Sequence, residues 1–253
     1  MKLQKYKRNS EVSYAMGATL VAELLKAHPG AITRVFLRPV EKHGDDLVKI
    51  LNELKDRNVE IVESTKAFNI LGAKDSCLLM AEFQKSGLYS LKDINAAPSF
   101  FSEIVLVHPS DSGNLGTIMR SAVAFGFKFI SIVEPAIDPY DPKVIRASMG
   151  AVFHLVIHRC NEEEYYKSAK DAKHCTHFAF ILNKQAQALE SIDAAKYKDG
   201  CISLIFGNEA AGLPKDFCDK VDATPVYINQ SEYVDSLNLS VAASIAMYQF
   251  ATK

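Results

Sequence analysis

Residues 103–126 read EIVLVHPSDSGNLGTIMRSAVAFG. The run Ile104-Val105-Leu106-Val107 is unbroken apolar, the pattern of a strand buried on both faces, as in a parallel sheet. Pro109 to Gly113 is small and polar and reads as a loop. Residues 114–125 then resume apolar spacing at a helical period. A strand feeding a helix through a short loop is half of a βαβ unit. Working outward, the alternation continues. Phe129–Val133, Val152–Ile157, Phe178–Leu182, Ile202–Phe206 and Pro225–Ile228 read as strands, and 161–173 and 238–251 as helices. Upstream, residues 10–27 carry Val12, Met16, Leu20 and Leu24 at helical spacing behind Ser10 as a cap, and His28-Pro29-Gly30 stops them. Strands at 33–37, 59–62 and 77–83 alternate with helices around 47–54 and 65–72, which implies a largely parallel sheet there too. Residues 84–100 mix Gly, Ser, Lys, Asp and Pro and read as a linker. The expectation is an α/β protein of two domains, 1–95 and 100–253.

Composition bounds the rest. A chain of 253 residues with 48% hydrophobic and 23% charged residues is ordinary globular material, which excludes a disordered chain, a collagen and a disulfide mini-protein. No apolar run approaches the ~20 residues of a membrane span, and no apolar stretch follows the basic start to make a secretory signal. The five cysteines, Cys77, Cys160, Cys175, Cys201 and Cys218, are odd in number and widely spaced. That pattern predicts free thiols in a reducing cytoplasm. His174-Cys175-Thr176-His177 lacks zinc-framework spacing, and no metal is expected. His154 and His158, four apart in a strand-like stretch, read as ordinary strand histidines. The net charge of −1 hides an asymmetry. Residues 1–99 hold 15 Lys and Arg against 12 Asp and Glu, and residues 100–253 hold 14 against 18. Lys2, Lys5, Lys7 and Arg8 cluster at the start, as a solvated tail or as a nucleic-acid contact.

Three stretches that follow expected strands carry more small and polar residues than packing needs, and ligands of open α/β sheets bind beyond the carboxyl ends of strands. The first is Pro109 to Arg120, with Asn114 and Arg120 six apart, either an N-cap with a surface arginine or an anion site. The second is Ile205-Phe206-Gly207-Asn208-Glu209-Ala210-Ala211-Gly212-Leu213-Pro214, a turn or a positioned carboxylate. The third is Tyr233 to Ala243, where Ser236 and Asn238 precede an Ala-rich helix, a cap or a site. No G-x-G-x-x-G follows the first strand of either half, and there is no P-loop and no G-x-S-x-G elbow.

Taken in order, these stretches resemble the motifs of the SpoU (TrmH-like) family of RNA ribose 2′-O-methyltransferases, in the SPOUT superfamily. The carriers are Asn114-x-Gly116-x-Ile118-x-Arg120-Ser121-Ala122, Gly207-Asn208-Glu209-x-x-Gly212-Leu213 and Ser236-Leu237-Asn238-Leu239-Ser240. Pro142-Lys143-x-x-Arg146-Ala147-Ser148-x-Gly150-Ala151 resembles the family's intermediate segment. Residues 1–95 look like an L30e-type RNA-binding domain. The resemblance implies a C-terminal SPOUT domain with a mostly parallel sheet and a deep trefoil knot, a homodimer, and a methyl donor, S-adenosyl-L-methionine, held in the knot. By the same resemblance Phe206, Gly207, Asn208, Gly212, Ile228 and Leu237 bind the donor. Asn114, Arg120, Glu209, Ser236 and Asn238 are catalytic, and Lys5, Lys7, Arg8, Lys143 and Arg146 contact RNA. The family's usual Ile-Pro-Met before the third motif is Ile228-Asn229-Gln230 here, which implies a floppier or a differently bonded cofactor loop.

The implied reaction is methyl transfer to a ribose 2′-oxygen without metal, in the cytoplasm, on ribosomal RNA ahead of transfer RNA. A guanidinium stays protonated far above neutral pH, so making one neutral at pH 7 costs about 7 kcal/mol. Arg120 is therefore read as a phosphate clamp that also favours the developing alkoxide, with Glu209 orienting Arg120 or Asn114. The alternatives are base methylation and a non-catalytic RNA-binding protein of the same fold.

Overall fold

The computed structural model describes residues 3, 5–88, 102–172 and 174–251. They form β1 (Val12–Met16), α1 (Ala18–Ala27), β2 (Ile32–Leu37), α2 (Asp45–Asp56), β3 (Glu60–Glu63), α3 (Thr65–Leu71), β4 (Leu79–Gln84), β5 (Glu103–Val107), α4 (Ser112–Ala124), β6 (Phe129–Val133), α5 (Pro142–Ala147), β7 (Val156–Cys160), α6 (Glu162–Asp171), β8 (Cys175–Phe180), β9 (Gln187–Ala188), β10 (Cys201–Phe206), α7 (Phe217–Val221), β11 (Thr224–Tyr227) and α8 (Leu239–Phe250). Most of the expected linker, and the boundary expected between 95 and 100, lie outside the described residues. The chain divides into two units, one of residues 1–90 with 138–154 and the other of 91–137 with 155–253. Residues 138–154 therefore belong with the first unit, not with the rest of 100–253.

The second unit is built on a seven-stranded sheet in the order β7-β6-β5-β10-β8-β11-β9. Every pairing in it is parallel, as the continuous apolar runs predict: β10 is buried along its whole length. One face packs Val105, Val107, Val133, Ala179 and Ile205 against Tyr165 of α6 and Phe217 of α7. At the foot of the strands this face turns polar. Ser131 and Ser203 donate to the two oxygens of Glu103, at 2.7 and 2.8 Å, and burial pushes that carboxyl up. Beside it the register sets Cys175 of β8 opposite Cys201 of β10, with Cα atoms 4.5 Å apart, and the two form a disulfide. This corrects the expectation of free thiols throughout. Strand pairing creates the neighbour relation, and a separation of 26 residues does not show it. Cys77, Cys160 and Cys218 are free. Among the described residues no helix is long and apolar enough to cross a membrane.

The first unit has a four-stranded sheet, β1-β4-β2-β3. It is mixed where a largely parallel sheet was expected: β4 runs antiparallel to both neighbours, and only β2 and β3 are parallel. The expected helix over 10–27 splits into β1 and α1. Val12 and Met16 imitate a helical stripe by sharing i,i+4 spacing, but they end a strand whose register runs Val12↔Gln84 to Met16↔Met80. The chain then breaks at Gly17, whose φ is 121°. Residues 138–154 complete this unit. Asp138 accepts from Tyr6 and Lys85, both at 2.6 Å, and Phe153 sets its ring edge-on to Phe83 at 5.5 Å. The strand expected at 152–157 starts only at Val156. Residues Ala151–His154 are a short 3-10 turn, and His154 bonds Glu23 at 2.8 Å instead of sharing a strand face with His158.

Candidate active site

In the second sheet β5 and β10 are neighbours, with β6 and β7 continuing on one side and β8, β11 and β9 on the other. That is a topological switch point, where loops leaving the carboxyl ends of two strands part and leave a crevice. The loops after β5, β8, β10 and β11 all open there. Those after β8, β10 and β11 line a cleft of 460 Å³, within the ordinary range for a small-molecule site. Its floor is the stacked ring pair of Phe180 and Phe206, 4.6 Å apart at the ends of β8 and β10.

The loop after β10 is held by its own backbone. Asn208 and Gly212 exchange N–H···O bonds of 3.1 and 2.9 Å, and Gly212 turns through φ 69°. The turn folds back so tightly that a Cβ on Gly207 would lie 2.2 Å from the Gly212 carbonyl carbon and 2.4 Å from the Leu213 nitrogen. Only glycine fits. Asn208 donates to the carbonyl of His108 at 2.8 Å, which ties this loop to the one after β5.

Glu209 completes the tie. Its carboxylate accepts from the Ser110 N–H (3.3 Å) and hydroxyl (2.9 Å), the Asp111 N–H (3.2 Å) and the Asn114 side chain (3.4 Å). Desolvation works to raise this carboxyl. Bonds from its own backbone, Ser110, Asp111 and Asn114 outweigh it and hold the group below the usual carboxylate range. Asn114 lies in the first turn of α4, not in the loop, because Asp111 is the cap and accepts from the Asn114 N–H at 2.7 Å. Its side-chain oxygen accepts from Asn238 Nδ2 at 2.9 Å. Asn238 in turn caps α8, its Oδ1 taking the N–H and hydroxyl of Ser240 at 2.9 and 2.7 Å. Glu209, Asn114 and Asn238 thus form one hydrogen-bonded chain that joins the loop after β10 to the first turn of α4 and the cap of α8.

The six expected cofactor residues, Phe206, Gly207, Asn208, Gly212, Ile228 and Leu237, all line the cleft, as do Glu209 and Ser236. Arg120 is exposed on α4, and no hydrogen bond among the described residues joins it to Glu209. Lys5, Lys7, Arg8, Lys143 and Arg146 are exposed, and all five belong to the first unit. Asn229, in place of the family's proline, donates its side-chain amide to Glu190. Gln230 closes the next turn onto the Asp235 carbonyl at 3.1 Å. The residue that reading the sequence alone missed is Asp111. Its signal was present in Asp111-x-x-Asn114, the spacing of an N-cap to the third helical position.

A model of the SpoU rRNA methylase family matches residues 102–248. The chain belongs to the SpoU rRNA methylase family. It is 30% identical over 138 residues to the 23S rRNA (guanosine(2553)-2′-O)-methyltransferase RlmP of Bacillus subtilis, covering 54% of this chain and 53% of that protein. It is 29% identical over 152 residues to the 23S rRNA (uridine(2479)-2′-O)-methyltransferase of Streptomyces viridochromogenes, covering 59% and 52%. The chain spans about half the length of these curated relatives. An AdoMet-bound rRNA methyltransferase from Sinorhizobium meliloti superposes with a TM-score of 0.76 at 26% identity, over 95% of this chain and 87% of that one. The α/β architecture of this SpoU chain is the one the motifs implied.

Proposed function

We propose that this SpoU chain methylates a ribose 2′-hydroxyl of RNA with S-adenosyl-L-methionine, and that the RNA is ribosomal. The observation that carries the reading is that the second and third motif loops line one cleft and the first motif is tied to both by the Glu209–Asn114–Asn238 chain. The cleft fits the donor: an aromatic floor, apolar walls at Ile228 and Leu237, and bare backbone at Gly207 where a side chain would intrude. When bound there, the donor supplies a methyl group on a sulfonium.

The chain's residues do the positioning, which can supply most of such an acceleration. Glu209 is occupied by donors from Ser110, Asp111, Asn114 and Asn208, so it orders the loop after β5 and does not take the proton. Asn114 and Asn238 fix the mouth of the cleft, and Ser236 lines it. Arg120 clamps a phosphate of the RNA and favours the alkoxide through its planar fork. Lys5, Lys7, Arg8, Lys143 and Arg146 form the basic RNA-binding face of the first unit, which we read as L30e-like. We read the C-terminal part of the second unit as a deep trefoil knot.

A homodimer is supported by α8, which leaves Val241, Ile245 and Tyr248 exposed around a shallow apolar hollow with Thr117. The reaction is metal-free and placed in the cytoplasm.

The test is incubation of unmodified ribosomal and transfer RNA with labelled donor, followed by nucleoside analysis. A 2′-O-methyl nucleoside from ribosomal RNA is expected. A base-methylated product, or label only in transfer RNA, overturns the corresponding part. Failure to bind the donor in calorimetry would favour a non-catalytic RNA-binding role. Arg120→Lys should lose at least about tenfold in turnover, and near-normal turnover would remove the clamp.

A further inference from the structure

We propose that Tyr233 is the stacking platform for the nucleobase of the nucleotide whose ribose enters the cleft. The proposal rests on the RNA-methylation reading above. The turn from Gln230 to Ser236 borders the cleft, and both of its ends line it. Its backbone is held at several points. Gln230 donates to the Asp235 carbonyl at 3.1 Å, and the Tyr233 N–H donates to the Ser231 hydroxyl at 3.3 Å. Glu232 pairs with Lys184, on the loop after β8, at 3.0 Å. At the tip of this tethered turn the Tyr233 side chain is 98% exposed, with no ring contact or hydrogen bond of its side chain among the described residues. Val234, next to it in sequence, and Leu182, on the joined loop, are 51% and 70% exposed.

A held backbone with a free aromatic face is what base stacking requires, and a stacked base on an aromatic is worth on the order of tenfold in affinity. The chemistry selects a base over a phosphate. The turn carries Glu232 and Asp235, and Lys184 on the joined loop is already paired with Glu232. A ribose with its 2′-oxygen in the cleft leaves its own base at the rim, and RNA recognition of this kind works on unstacked bases laid on aromatic side chains.

The test uses the full chain and an unmodified ribosomal RNA transcript that it methylates. Tyr233→Ala should raise KM for the transcript on the order of tenfold, leave calorimetric affinity for S-adenosyl-L-methionine unchanged, and leave the oligomeric state unchanged in sedimentation. Tyr233→Phe should restore KM. The chain contains no tryptophan, so Tyr233→Trp places a single reporter at the rim. Its emission should be quenched by the transcript and not by inorganic phosphate. A KM for Tyr233→Ala within twofold of the unaltered chain overturns the proposal, as does emission unmoved by RNA. Conversion of the variant to a monomer overturns it in favour of a contact with a second copy. Failure of the underlying reading shows separately, as no transfer by the unaltered chain.

Discussion

An alanine at position 207 would press its methyl group into the backbone of Gly212 and Leu213, and backbone cannot swing aside as a side chain can. Gly207→Ala should therefore keep its circular dichroism and bind S-adenosyl-L-methionine roughly tenfold more weakly or worse in calorimetry. Glu209→Gln keeps the shape of the side chain and loses the charge that gathers Ser110, Asp111 and Asn114. Its kcat/KM should fall roughly ten- to hundredfold with donor affinity retained, because hydrogen bonds to a charged group are the strong ones. The same carboxyl sets a pH dependence. It is held below its ordinary value of 4.5, so its contribution to stability is complete above that value and is lost as pH falls through the lower, folded value. In urea titrations, the gap between the unaltered chain and Glu209→Gln should be widest near neutral pH and close in acid. At this scale much of the site could be read directly. Gly207, Asn208 and Glu209 follow a buried strand, and a residue there is positioned whatever the rest of the fold. The bond from Asn229 to Glu190 could not be read, since it joins residues 39 apart through the pairing of β11 with β9.

Elements were legible where one interaction dominates. β5 and β10 announce themselves because both faces are buried, and α8 because Asn238 caps it and small residues follow. β1 was not, because five residues paired to β4 can carry apolar side chains at a helical interval by coincidence, and only the partner strand decides between them. α8 is also where an assembly prediction belongs. Its exposed apolar side chains sit one and two turns apart, at Val241, Ile245 and Tyr248. Ile245→Asp with Tyr248→Asp should shift the chain from dimer to monomer in sedimentation equilibrium while α8 keeps its inner contacts through Ala243, Ala246 and Met247. An unchanged mass would remove the homodimer reading.

The molecule as a whole gathers its expected RNA contacts on the unit that residues 138–154 help to build. Lys143 and Arg146 lie far from Lys5, Lys7 and Arg8 in sequence and yet share that unit. This was beyond a reading of composition, which divides a chain by position and cannot see a segment return. If these side chains meet phosphates, Lys143→Ala with Arg146→Ala should lower the slope of log affinity against log salt by about 1.4 to 1.8. A slope unchanged in filter binding would place the RNA elsewhere. The returning segment also governs when the first unit can be finished. A ribosome that has released residue 90 must still add the 64 residues of 91–154 before Phe153 can cover Phe83 and before Asp138 can receive Tyr6 and Lys85. At ordinary elongation rates that takes about 3 to 13 s. For that interval the nascent sheet waits with Phe83 lacking the ring that packs against it in the finished unit.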